Sequence, residues 1–248
     1  MNQYNDFAFI YDELMNDVDY YKWVKYIEDI IKTKGTKVKN ILELACGTGN
    51  LTIPLTKKNY DIAGIDISFE MLNVAREKAQ KEDVELVLLQ QDISELEFDV
   101  ENLDCVLCAC DGFNYLTYDD EIENCFSKVY ELLKEEGLFI FDISSYYKLS
   151  TVLGNNTFGE NREEISYMWQ NYFDEEENLV DMELVFFVKD KNGKYDKFSE
   201  IHKQRAYTER EMKRFLKYAG FNDLEVFGDF SFESPKKEAE RIFFVAKK

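Results

Sequence analysis

The run Ile41-Leu42-Glu43-Leu44-Ala45-Cys46-Gly47-Thr48-Gly49-Asn50 decides the fold, because an apolar stretch breaks there into two closely spaced glycines just ahead of a helical pattern. A buried strand that runs into a glycine turn at the start of a helix is the opening unit of an α/β sheet, in which ligands collect beyond the carboxyl ends of the strands. Gly47 and Gly49 let the backbone approach a bound molecule closely. Alone, Gly-x-Gly is equally a simple tight turn, so the sequence on either side has to carry the reading.

Upstream, Asp19 precedes Tyr20, Trp23, Val24, Ile27, Ile30 and Ile31, which recur at helical spacing and stop at Gly35. Downstream, apolar runs at residues 62–65, 84–89, 106–109 and 138–143 alternate with helical patterns such as Ile122, Cys125, Phe126, Val129 and Leu133. Strands that are apolar nearly throughout, each followed by a helix, demand a mainly parallel sheet covered on both faces. Residues 36–143 therefore read as a doubly wound α/β core.

Beyond Ile143 the rhythm changes. Longer segments are separated by the turn signals Asp174-Glu175-Glu176-Glu177-Asn178 and Lys191-Asn192-Gly193-Lys194, the second predicting a two-residue type I′ hairpin. Residues 144–207 thus form an antiparallel insertion. Thr208-Glu209-Arg210-Glu211 has the pattern of a capping box opening a helix to Gly220, and two last strands near residues 224–230 and 242–246 return to the main sheet. The core is then residues 36–143 with 208–248, preceded by a helical segment at 1–35.

Composition limits the function. The chain has 248 residues, 45% hydrophobic, with a net charge of −20, a field that repels phosphate backbones and makes nucleic acid an unsuited partner. No apolar run approaches the roughly 20 residues of a membrane span, and the acidic start does not resemble a signal peptide, so the expected location is the cytoplasm. Five cysteines, mostly inside apolar runs, fit reduced thiols; with one histidine in the chain, Cys108 and Cys110 do not predict a metal site.

Three acids mark the strand ends. Asp66 stands 19 residues after Gly47, where a carboxylate accepts the hydroxyls of a ribose, and Asp92 is placed to accept from an adenine amine while the next backbone N–H, that of Ile93, donates to the ring. With Glu43 they suit a cationic ligand. The alternative for Glu43 is a helix-cap acceptor, and for Asp111 the opening of a turn before Asn114. The third position of a dinucleotide fingerprint is Thr52, which disfavours a nicotinamide-dependent oxidoreductase.

In residues 43–49, in Asp66-Ile67-Ser68 with Met71, in Gln91-Asp92-Ile93 and in Cys110-Asp111-Gly112-Phe113-Asn114-Tyr115, the chain resembles the class I S-adenosylmethionine-dependent methyltransferases, with their Rossmann-like sheet. The resemblance implies S-adenosylmethionine as cofactor, with Ala45, Gly47 and Gly49 at its methionine portion. It further implies Asp66 at the ribose, Asp92 and Ile93 at the adenine, Cys110 and Asp111 near the amino-acid end, and Ile67 and Met71 as further cofactor contacts. The segment from Tyr4 to Asp12 is similar to one that folds over the cofactor in small-molecule members, with Tyr11 as a contact. The antiparallel insertion is similar to the lids of glycine and amino-sugar N-methyltransferases.

That lid carries Glu200, His202 and Arg205. On a strand Glu200 and His202 share one face, and a histidine beside a carboxylate is either a base near neutral pH or a structural hydrogen-bonding group. Arg205 anchors either a substrate anion or an internal carboxylate. Trp169 and Tyr167, on what reads as the first lid strand, line the pocket or fill the core, and Asn114 and Tyr115 complete the candidate acceptor site. The resulting expectation is methyl transfer to the N or O of a small molecule by a monomer or homodimer, against a non-catalytic cofactor sensor or assembly factor.

Overall fold

A computed structural model describes residues 7–97 and 100–248. Seven strands form the main sheet: β1 (Asn40–Leu44), β2 (Asp61–Asp66), β3 (Val87–Gln90), β4 (Leu103–Cys108), β5 (Leu133–Ser144), β10 (Asp223–Gly228) and β11 (Arg241–Lys247). Their order is β10-β11-β5-β4-β1-β2-β3, with β11 antiparallel to both neighbours and the other pairings parallel. The chain leaves β1 toward β2 on one side, and β4 lies on the other. That reversal is where an open α/β sheet keeps its ligand crevice.

Strand side chains alternate between two apolar layers. Leu42, Leu44, Val106, Phe139 and Phe141 meet α5 (Asp119–Leu132) and α6 (Glu209–Ala219), whereas Ile41, Leu107, Leu138 and Ile140 meet α2 (Tyr20–Lys34). Phe141 stacks on Phe244 across the β5–β11 pair at 4.9 Å. The helix ends follow the local chemistry: Asp19 accepts from the Lys22 N–H at 2.9 Å, and Gly35 closes α2 at φ +65°.

Between β5 and α6 the chain builds a separate antiparallel sheet of β6 (Thr157–Asn161), β7 (Ile165–Asp174), β8 (Leu179–Lys189) and β9 (Tyr195–Arg205). The remaining helices are α1 (Phe7–Leu14), α3 (Thr52–Lys57) and α4 (Phe69–Lys81).

Three local expectations change. β3 starts at Val87 and not at Val84, because the Val84 N–H is taken by Ala79 O at the end of α4. Trp169 and Tyr167 lie on the second strand of the insertion, since the fully exposed β6, which has no apolar alternation to announce it, comes first. The Asn-Gly turn is not type I′: Gly193 is left-handed at φ +78°, Asn192 is not, and the Asp190 carboxylate organises a longer loop by accepting the N–H groups of Asn192 and Lys194 at 2.8 Å each.

The capping box at α6 is present. Thr208 Oγ1 accepts the Glu211 N–H at 3.2 Å while Glu211 Oε2 accepts the Thr208 N–H at 2.8 Å. Thr208→Ala strands one N–H at the helix start and is expected to lower stability by about 1 kcal/mol, read as a lower urea midpoint at unchanged slope.

Candidate active site

The turns beyond β1, β2, β3 and β4 enclose one side of a cavity of about 610 Å³, and the inner face of the antiparallel sheet closes another. At its floor the Asp66 carboxylate accepts the Gly47 N–H at 2.8 Å and the Ser68 N–H at 2.9 Å, tying the β1 turn to the start of α4. Gly47 holds φ +55°, and a Cβ built there meets nothing within 4 Å, so this turn presents bare backbone to open space. Gly49, also left-handed, faces Ala75 and lies behind the cavity wall.

Glu43 is buried in β1 and accepts from Thr52 Oγ1 at 2.6 Å, a bond to the first residue of α3. Burial pushes its carboxyl up to about 7, opposed by the Thr52 bond. Burial likewise raises Asp66 above its ordinary value against its two backbone bonds. Asp92 lies two residues past the end of β3, where Oδ1 accepts the Ser94 N–H at 2.8 Å and its hydroxyl at 2.7 Å. Ala45, Ile67, Met71 and Ile93 line the same cavity.

At the end of β4 both Cys110 and Asp111 adopt left-handed backbone, φ +59° and +57°. Asp142, fully buried on β5, stabilises this pair by accepting the Cys110 N–H at 2.8 Å and the Asp111 N–H at 3.1 Å. Burial pushes its carboxyl up to about 6 despite the neighbouring Arg241 guanidinium. Burial also raises the Cys110 thiol, which argues for an inert thiol. Asp111 accepts from Gln204 Nε2 at 3.0 Å, a direct tie between β9 and the β4 turn.

On the opposite wall stand Trp169, Met182, Leu184 and His202, with Tyr115. The His202 Nδ1 is 3.4 Å from the Tyr115 hydroxyl, and burial pushes the imidazole down to about 4. It is therefore neutral at physiological pH. From α1, Phe7 and Tyr11 reach the cavity, with Phe7 against Phe186 and His202 at ring distances of 5.4 and 5.6 Å. Tyr4 lies outside the described residues.

Three expected acceptor residues stand outside the cavity. Asn114 is fully buried, donates to Ser144 O and Arg205 O, and accepts from the Ser144 N–H, so its role is to join β5, β9 and the β4 turn. Arg205 pairs with Asp119 at 2.6 Å and Glu211 at 3.3 Å, which makes its partners internal carboxylates. Glu200 sits across from Leu184 on β9 but is not part of the lining.

The sequence reading missed Arg241, Asp142, Gln204 and a clasp in which Asp12 accepts from Thr48 Oγ1 at 2.7 Å, Asn50 Nδ2 at 2.9 Å and Lys78 Nζ at 2.6 Å. A signal was present for two of them. Asp142 interrupts the apolar run Phe139-Ile140-Phe141-Asp142-Ile143, and a buried charge requires a partner, which Arg241 at the head of β11 supplies.

A methyltransferase domain model matches residues 41–137. A methyltransferase homologue of Geobacillus sp. (strain WCH70) is 41% identical over 246 residues, 99% of each chain. The crystal structure of an S-adenosylmethionine-dependent methyltransferase from Clostridium acetobutylicum ATCC 824 is 40% identical, with a TM-score of 0.89 over 98% of both chains. The chain belongs to the S-adenosylmethionine-dependent methyltransferases. The glycine/sarcosine N-methyltransferase of Aphanothece halophytica is 27% identical over 89% of this chain and 81% of that one. S-adenosylmethionine is accordingly the cofactor, and the cavity fits it: bare backbone at Gly47 beside Glu43, Asp66, Asp92 and Asp111 suits a cationic nucleoside.

A cation in this methyltransferase cavity favours the ionised form of Glu43, so binding releases a proton. Affinity for S-adenosylmethionine is expected to rise between about pH 6 and about pH 8, through the Glu43 value, and then flatten. Calorimetry in buffers of different ionisation enthalpy checks this, and Glu43→Gln should flatten the profile.

Proposed function

We propose that this methyltransferase moves a methyl group to the nitrogen or oxygen of a small molecule held between the cofactor and the antiparallel sheet. The observation that carries this reading is the wall formed by Trp169, Met182, Leu184 and His202, which converts the open end of the main sheet into a roofed cavity. A net charge of −20 also disfavours a nucleic-acid acceptor. The name of the Aphanothece relative, a glycine/sarcosine N-methyltransferase, supports a small amine as acceptor.

In this reading residues 144–207 are the acceptor lid and 1–35 the cap. S-adenosylmethionine held in this cavity would supply an electrophilic methyl on a sulfonium sulfur for the acceptor lone pair, with S-adenosylhomocysteine as the leaving group. Gly47 and Ala45 border the methionine portion. Each Asp66 oxygen, already holding one backbone N–H, keeps a lone pair for a ribose hydroxyl. Asp92 and Ile93 would take the adenine, and Tyr11 would contact the cofactor from α1.

The chain needs no nucleophile of its own, because orienting two reactants is worth roughly 7 to 11 kcal/mol. His202, kept neutral by burial, accepts a hydrogen bond from the attacking group, and the proton released by the acceptor goes to water. The free cysteines, four of them buried, suit a reducing cytoplasm.

The test is S-adenosylhomocysteine formation with a panel of amino acids, amino sugars, other amines and phenols, run beside RNA and protein fractions. Turnover on the macromolecules alone would overturn the reading. Asp66→Ala is expected to weaken cofactor binding by about 1.5 to 3 kcal/mol; unchanged affinity in a folded variant would remove its ribose role. His202→Ala should leave cofactor affinity intact and slow turnover about tenfold or more on an acceptor from that panel, the scale of a lost hydrogen bond.

A further inference from the structure

Arg241 is the first residue of β11, and its guanidinium lines the cavity beside Cys110 and Asp111. We infer that Arg241 is a ligand-binding residue whose uncommitted N–H donors hold the carboxylate at the amino-acid end of the cofactor. The inference rests on the cofactor lying in this cavity with its amino-acid end at the β4 turn.

The hydrogen-bonding pattern distinguishes this role from neutralising a buried acid. Nη1 alone serves both carboxylates, Asp111 Oδ1 at 3.0 Å and Asp142 Oδ2. An arginine that only compensates a carboxylate commonly offers two parallel N–H groups to it. Here Nε and Nη2 have no protein acceptor among the described residues, and the side chain retains 16% exposure at a position on the cavity wall. The guanidinium is also held in place: its Cζ lies 5.0 Å from the centre of the Trp23 ring, and Trp23 is itself packed against Phe230 and Phe243.

Charge order supports the same ligand group. An amino-acid end carries an ammonium and a carboxylate one carbon apart, and it needs an acid and a cation side by side. Asp111 and Arg241, in contact at 3.0 Å on the cavity wall, are such a pair. Asp142 behind them leaves the cluster with two acids for one cation, so an added ammonium balances what the added carboxylate brings.

The experiment is calorimetric titration of the wild-type protein, R241M and R241K with two ligands. S-adenosylhomocysteine has the amino-acid end, and 5′-methylthioadenosine has the same nucleoside and thioether without it. Affinity for S-adenosylhomocysteine is expected to fall about 10- to 100-fold in R241M, and in the same direction in R241K, while methylthioadenosine binding holds. R241K keeps a positive charge beside Asp142 and stays informative if R241M fails to fold. Equal losses for the two ligands would make Arg241 a support of the turn only, and unchanged S-adenosylhomocysteine affinity would also overturn the inference. Wild-type binding of S-adenosylhomocysteine separately tests the cofactor placement.

Discussion

The Asp66 carboxylate accepts one N–H from the glycine turn after β1 and one from the start of α4, and the cavity floor depends on that double attachment. Glu43 on the neighbouring β1 and Asp142 on β5 are also buried, and burial pushes both carboxyls up. Burying carboxylates without matching cations is costly. Arg241 offsets part of that cost, and a cationic cofactor offsets more. The acids of the site are thus arranged to suit a cationic ligand.

The antiparallel sheet is attached to this floor at a few defined points. Gln204 reaches Asp111, Asn114 reaches the backbone of Arg205, and the Arg205 guanidinium spans from β9 to Asp119 and Glu211 on the helical layer. On the other flank Asp12 clasps α1 to Thr48, Asn50 and Lys78. That clasp is polar, while the neighbouring face of α1 is held by the apolar contacts of Phe7, Ala8 and Ile10.

Strand and helix positions in the core were legible because buried parallel strands leave uninterrupted apolar runs, as in residues 138–143, and because Asp19, Gly35 and Thr208 have caps with local causes. The cavity acids at 43, 66, 92 and 111 were legible for the same reason, each being a charge next to an apolar run. What escaped was non-local. Nothing near Arg241 in sequence announces Asp142, 99 residues earlier, and nothing near Asn114 announces that its amide faces Arg205 O. β6 escaped because its side chains are all exposed and show no period.

The β5–β11 pairing also constrains the order in which the molecule can be made. β5 is the longest strand in the main sheet, and the partner on its outer edge arrives only after the whole antiparallel insertion and α6. A chain emerging from the ribosome therefore carries Phe139 and Phe141 on an open strand edge until β11 has been made, the kind of surface that pairs with other chains. Closing that edge is a contact of high sequence separation and hence slow. Growth temperature and chaperone supply should accordingly influence the yield of this protein.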